Sequence, residues 1–136
     1  MIDLKSKTIA VVGVSSDGNK YGSKIFKTLK HDGVNAYAVG RSDGTSMGQK
    51  IYKSVSELPE KPQLVVMVIP PAASMPVVEE AVKLGVGEIW FQPGAENEAA
   101  ENFAKSKGVK VTSRACVMVQ GATGDGVRTV NGNKRN

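Results

Sequence analysis

Few residues in this chain have the type and spacing that catalysis asks for. There is one histidine, His31, and one cysteine, Cys116. A histidine cluster, an internal disulfide and a cysteine-rich metal site are therefore excluded. His31 stands beside Asp32 at the end of an amphipathic stretch, where a cation complements a helix C-terminus, and that structural role is the expectation for it. Cys116 follows Arg114 by two residues, and a nearby cation lowers a thiol's pKa. The expected role is nonetheless a small buried hydrophobe near the end of the fifth strand. Asp17, Asp43 and Glu57 lie in separate segments, with no spacing for a paired-carboxylate or metal site. The chemistry this inventory favours is binding.

What is bound is written in the stretch Thr8-Ile9-Ala10-Val11-Val12-Gly13-Val14-Ser15-Ser16 and the loop that runs through Lys20 to Tyr21-Gly22. An apolar β-branched run that breaks on glycine and hydroxyl residues, then enters an amphipathic helix, is a strand–loop–helix. Such a turn aims backbone N–H groups at one point, which suits a phosphate. The G-x-G-x-x-G dinucleotide fingerprint is absent: no second glycine stands two positions after Gly13, and Gly22 comes nine positions on. At the end of the second strand, Val39-Gly40-Arg41, no acid waits for a ribose hydroxyl. Arg41 suits a ribose that carries a phosphate, as in a phosphorylated dinucleotide or coenzyme A, or else is a solvated loop charge.

The elements that must position these residues follow in chain order. Strands are expected at about Thr8–Val14, Asn35–Val39, Leu64–Ile69, Glu88–Phe91 and Val109–Ser113. Between them, Ile25, Phe26 and Leu29 form the inner face of one helix. Val77, Val78, Ala81 and Val82 form that of a second helix, with Pro76 in its first turn, and Ala99, Ala100, Phe103 and Ala104 that of a third. Residues 47–61 look least regular, with one short helical turn at Ser54-Val55-Ser56-Glu57, which has capping-box spacing. Gly33-Val34, Gly85-Val86 and Gly108-Val109 each close a helix and lead toward a strand.

This is an α/β chain of Rossmann type: a doubly wound, mainly parallel five-stranded sheet in a three-layer α/β/α arrangement. Ligands of such sheets sit beyond the carboxyl ends of the strands. Four exits should line that crevice: Gly13 through Gly22, Val39-Gly40-Arg41, Ile69-Pro70-Pro71 and Gln92-Pro93-Gly94. His31 would lie at the opposite end.

At 136 residues the chain is one domain, expected over residues 1–120, with a disordered tail over 121–136 rich in Gly, Asn, Thr and charge. The net charge of +5 is spread over every segment, and only 5% of residues are aromatic, so a base-stacking nucleic-acid surface is excluded. The N-terminus lacks the apolar core of a secretion signal. The longest uncharged stretch, Pro62 to Val78, contains four prolines and is no membrane helix. A cytoplasmic location, with no nucleic-acid or membrane partner, is the expectation; a homo-oligomer or a protein partner stays open.

The residues also carry a family resemblance. The chain resembles the stand-alone CoA-binding proteins, whose fold is similar to the N-terminal CoA-binding domain of the succinyl-CoA synthetase α subunit. The matching pieces are Val12-Gly13-Val14-Ser15 with Gly22, Gly48-Gln49-Lys50-Ile51-Tyr52-Lys53-Ser54, Glu57-Leu58-Pro59, Val65 to Pro70, and Gly87 to Ala95 with Glu98-Ala99-Ala100. They span about residues 7–116. The resemblance implies that the Ser15–Tyr21 loop, with Ser16 and Lys20, meets the CoA phosphates. It implies that the second-strand exit handles the adenosine end, and that Ile69 and Pro70 flank the adenine or the pantetheine path. Relatives usually read Val-Asn-Pro-Lys where this chain reads Val39-Gly40-Arg41-Ser42, so the 3′-phosphate contact falls to Arg41 if the loop brings it round. The synthetase's phosphorylated histidine belongs to another domain by the same resemblance, and no counterpart of it is expected among these 136 residues. The reading is therefore non-catalytic binding of coenzyme A or an acyl-CoA. An NADP-type dinucleotide binder and an interaction scaffold with a vestigial crevice are the alternatives.

Overall fold

The computed structural model describes residues 2–3, 6–41, 44–113 and 121–122. Its main sheet has seven strands. Five are the expected parallel ones: β2 (Thr8–Val12), β3 (Asn35–Val39), β6 (Leu64–Met67), β7 (Glu88–Phe91) and β8 (Lys110–Thr112). Two short strands were not expected, β4 (Thr45–Ser46) and β5 (Gln49–Tyr52). The order is β4-β5-β3-β2-β6-β7-β8, with β4 antiparallel to β5 and every other neighbour parallel. The register is set by Val11 opposite Ala38 on one side and Val66 on the other.

Helix α1 (Tyr21–His31) covers one face, where Ile25, Phe26 and Leu29 are fully buried against Ile9, Val11, Ala36, Ala38 and Val66. Helices α2 (Ser74–Leu84) and α3 (Glu98–Ser106) cover the other, burying Val78, Ala81, Ala100 and Ala104 against Ala10, Val12, Val65 and Met67. The apolar runs of β2 and β6 are required because both of their faces are covered. Truncating Phe26 to alanine would cost about 3–5 kcal/mol. The first strand steps onto one face and the third strand onto the other, which places the switch in winding at β2.

Several expected boundaries move. The first strand ends at Val12, not Val14, because Gly13 turns at φ 118° and both Gly13 and Val14 donate their N–H to Val39 O, at 2.8 and 3.0 Å. The third strand ends at Met67, and a 3-10 turn over Pro71–Ala73 leads into α2, with Pro76 in its first turn as expected. The sheet is larger than five strands because Ile51 and Tyr52 pair with Ala38 and Val39. Ser54 makes no side-chain cap to the 3-10 turn Val55–Glu57. Glu57 Oε1 accepts from the N–H of Lys53, one residue before the cap, at 3.4 Å, so the expected capping box is replaced by a bond shifted by one residue. Glu80 of α2 accepts from Val55 N–H instead, at 3.3 Å.

Gly121–Ala122, at the start of the segment expected as a tail, forms β9 and pairs in parallel with β1 (Ile2–Asp3). Residues 123–136, Arg114 and Cys116 lie outside the described residues. Among the described residues no helix is long and apolar enough to cross a membrane.

Candidate functional site

The exits of β2, β3 and β6 converge because three glycines let backbone touch backbone. A Cβ on Gly13 would stand 2.3 Å from Val68 O, one on Gly22 2.3 Å from Gly13 O, and one on Gly40 1.9 Å from Val14 O. None of these contacts tolerates a side chain. Gly40 N–H also donates to Tyr52 O at 2.8 Å, which ties the β3 exit to the end of β5.

The loop between β2 and α1 is held by its own polar groups. Ser23, fully buried in the first turn of α1, accepts from Ser15 N–H at 3.0 Å and donates its hydroxyl to Ser15 O at 2.7 Å. Ser15 Oγ accepts from Asp17 N–H, and Asp17 Oδ1 from Asn19 N–H. Lys20 occupies the N-cap of α1 and makes no side-chain cap. Lys20 thus gives the helix start no side-chain cap, and no acid stands in the first turn, an arrangement that favours an anion.

These exits surround a cavity of about 650 Å³, within the range of small-molecule sites. Of the residues expected in a site, Gly13, Val14, Ser15, Lys20, Tyr21, Gly22, Val39, Gly40, Arg41, Ile69 and Pro70 line it. Ser16, Pro71, Gln92, Pro93 and Gly94 are outside the lining. Ser16 lies on the outer side of its loop, against Gly44. Pro71 is exposed and accepts from Asn97 Nδ2 at 2.7 Å. Gln92 is fully buried, with its N–H on Met67 O and its carbonyl on Ala95 N–H. Pro93 and Gly94 are exposed at the following turn, where Gly94 N–H donates to Glu96 Oε1. The β7 exit is one strand farther from the winding switch than β6, and the start of α2 stands between it and the cavity.

Sequence reasoning missed two groups of lining residues. Lys53, Ser54 and Val55 arrive with the unexpected strand β5. Ala73, the N-cap of α2, and Pro76, Val77 and Glu80 of the helix line the cavity at the i, i+3, i+4, i+7 spacing of a single helical face. That spacing was the available signal. Val12 and Val68 complete the wall.

The lining divides by character. Its charged residues are Lys20, Arg41 and Lys53 against Glu80. Val39, Val55, Ile69, Pro76 and Val77 give an apolar side on the α2 face. A cavity with a cationic, amide-bearing end and an apolar end accommodates a molecule that carries phosphates at one part and a flat or aliphatic part at the other. His31, 78% exposed in its side chain, lies at the far end of α1, 3.6 Å from Asp32. Among the described residues no group of three or more His, Cys, Asp or Glu is placed to hold a metal ion.

The comparisons with known proteins agree with this geometry. The chain is 30% identical over 120 residues to the α subunit of an ADP-forming acetate–CoA ligase II of Pyrococcus furiosus, a match covering 80% of this chain and 26% of that subunit. It therefore spans about a quarter of that relative. It is also 29% identical to the uncharacterized protein YneT of Bacillus subtilis, over 85% of each chain. Among solved structures, a conserved hypothetical protein from Pyrococcus furiosus superposes with a TM-score of 0.76 at 38% identity, covering 82% of this chain and 96% of that one. The sequence profile of the CoA binding domain matches residues 7–122, and the chain belongs to that family.

Proposed function

We propose that this chain binds coenzyme A or an acyl-CoA in the crevice at the carboxyl ends of β2, β3 and β6, and that it does so without catalysing a reaction. The observation that carries the reading is the uncapped start of α1, opened by Gly13 and Gly22 onto a cavity of about 650 Å³. The pyrophosphate lies on the loop from Val14 to Gly22, where a Cβ at Gly22 would fill the space. Arg41 and Lys53 face the phosphorylated ribose. The base lies between the β3 exit and the first turns of α2.

Family membership supports the ligand class. Binding without catalysis fits the use of Ser15, whose Oγ accepts from Asp17 N–H and serves the loop.

Isothermal titration of ligand-stripped protein with CoA, dephospho-CoA, NAD and NADP tests this directly. Saturable CoA binding at one site per chain, with dephospho-CoA weaker, is expected. Binding of NADP alone moves the protein to the dinucleotide reading, which Arg41 would also serve. No heat with any of the four leaves an interaction scaffold.

A further inference from the structure

We propose that Glu80 is the residue that selects the base, accepting a hydrogen bond from the 6-amino group of adenine; this rests on the CoA reading above. Glu80 is the one carboxylate among the described residues that line the cavity, which otherwise carry three cations. Phosphate oxygens are repelled from it and drawn toward Lys20, Arg41 and Lys53. What a carboxylate can receive is an N–H donor.

Its position is fixed rather than floppy. Oε1 accepts from Val55 N–H at 3.3 Å and Oε2 from Ser56 Oγ at 2.6 Å, which pins the side chain between α2 and the turn that follows β5. A carboxylate has about four acceptor positions, so these two bonds leave capacity for a ligand. Val55, Ile69, Pro76 and Val77, which line the same cavity, make an apolar slot for a planar ring. A flat ring with an amino group on its edge satisfies both features at once; adenine is the part of CoA that has them. A site built to hydrogen-bond a group discriminates against an analogue lacking it.

The competing explanation is that Glu80 only braces the turn. The two make different predictions. Titrate CoA and a CoA analogue whose base is unsubstituted purine, with hydrogen in place of the 6-amino group, into the wild type, Glu80→Gln, Glu80→Ala and Ser56→Ala. The wild type should bind CoA roughly 10- to 100-fold more tightly than the analogue, the range of one hydrogen bond to a charged group. That ratio should shrink in Glu80→Gln and fall to one in Glu80→Ala, with the analogue's affinity unchanged. Ser56→Ala, which removes a brace and keeps the acceptor, should preserve it.

A wild type that binds both ligands equally overturns base selection while the CoA reading stands. Equal weakening of both ligands by Glu80→Ala also overturns it, and assigns Glu80 to bracing. Adenosine 3′,5′-bisphosphate and 4′-phosphopantetheine, titrated separately, locate the contact. Weakening of the phosphopantetheine alone by Glu80→Ala would put the carboxylate on an amide of the arm and overturn the proposal. Absence of any CoA binding to the wild type overturns the CoA reading and base selection together.

Discussion

Gly22→Ala is the sharpest perturbation of the phosphate-facing turn. A Cβ at this position would lie 2.3 Å from Gly13 O and 2.7 Å from Gly13 C, whereas ordinary contact begins at 3.4 Å. Both obstacles are backbone, and Gly13 cannot yield, because its own Cα side is closed by Val68 O. The start of α1 must therefore retreat by about 1.1 Å, the difference between contact and overlap. A donor that moves this far from a phosphate oxygen goes from about 2.9 Å to about 4 Å and no longer makes a hydrogen bond. Losing one such bond to a charged acceptor lowers CoA affinity roughly 10- to 100-fold, while the strained contact destabilises the fold by about 1–3 kcal/mol. Titration calorimetry reads the first effect and the urea midpoint the second. Gly87→Ala is the matched control: a Cβ there meets nothing within 4 Å, so binding and stability should stay at wild-type values or rise slightly. A Gly22→Ala protein with wild-type affinity and wild-type midpoint would refute both the close approach and its role in binding.

Arg41→Ala should weaken CoA more than dephospho-CoA; equal losses, or none, would remove Arg41 from the 3′-phosphate. Ser23→Ala leaves the Ser15 N–H and carbonyl without their shared hydroxyl. It should cost about 1–3 kcal/mol in urea unfolding and weaken CoA in parallel, and a stable protein with unaltered affinity would show that the loop holds itself. At the opposite end of the sheet, Tyr37 Oη donates to Glu60 Oε2 at 2.6 Å, with Asn35 and Thr8 also donating to this carboxylate. The Tyr37 bond, then those of Asn35 and Thr8, hold the Glu60 carboxyl below the usual glutamate range, and the same bond raises the Tyr37 phenol. Because Glu60 is depressed in the fold, its contribution to stability is complete above the ordinary glutamate value and is lost as pH falls through the lower folded one. Tyr37→Phe should move the Glu60 carboxyl resonance's titration upward by NMR; an unmoved midpoint would contradict the assigned cause.

Much of this was legible from residue order. The helix stops at Gly33 and Gly85 were readable because a left-handed C-terminal residue, here φ 83° and 86°, favours glycine. Strand ends were read two residues too long at Val14 and Ile69 for a specific reason: both line the cavity, and an apolar run looks the same whether it ends in the sheet or continues along a crevice wall. β5 was hidden because Gln49-Lys50-Ile51-Tyr52 buries only Ile51, too little for an alternating pattern to register. Gln92 was placed in the crevice by the rule that strand exits line it. That rule holds at the switch in winding and weakens with each strand away from it. At β7, Asn97 Nδ2 on Pro71 O and Ser74 Oγ on Ala95 O, at 2.7 and 3.4 Å, knit the exit to the start of α2.

The strand that sequence hid also adds to the charge of the cavity. A dinucleotide fold commonly follows its second strand with an acid that meets a ribose hydroxyl. Here β3 leaves through Gly40-Arg41, and the chain returns through the β4–β5 hairpin in place of a helix, so that Lys53 joins Arg41 on the same rim. Two cations supplied by neighbouring strand ends oppose an unphosphorylated ribose only weakly and favour a phosphorylated one through charge. Recognition of this kind is screened by salt, unlike the Glu80 contact inside its apolar slot. The CoA-over-dephospho-CoA ratio should therefore fall as ionic strength rises from 0.05 to 0.5 M, roughly, as the Debye length drops from about 14 to about 4 Å. The amino-purine preference should hold nearly constant over the same range. A ratio that ignores salt would mean that the 3′-phosphate is read by fixed hydrogen bonds, and that the hairpin's cation is a bystander.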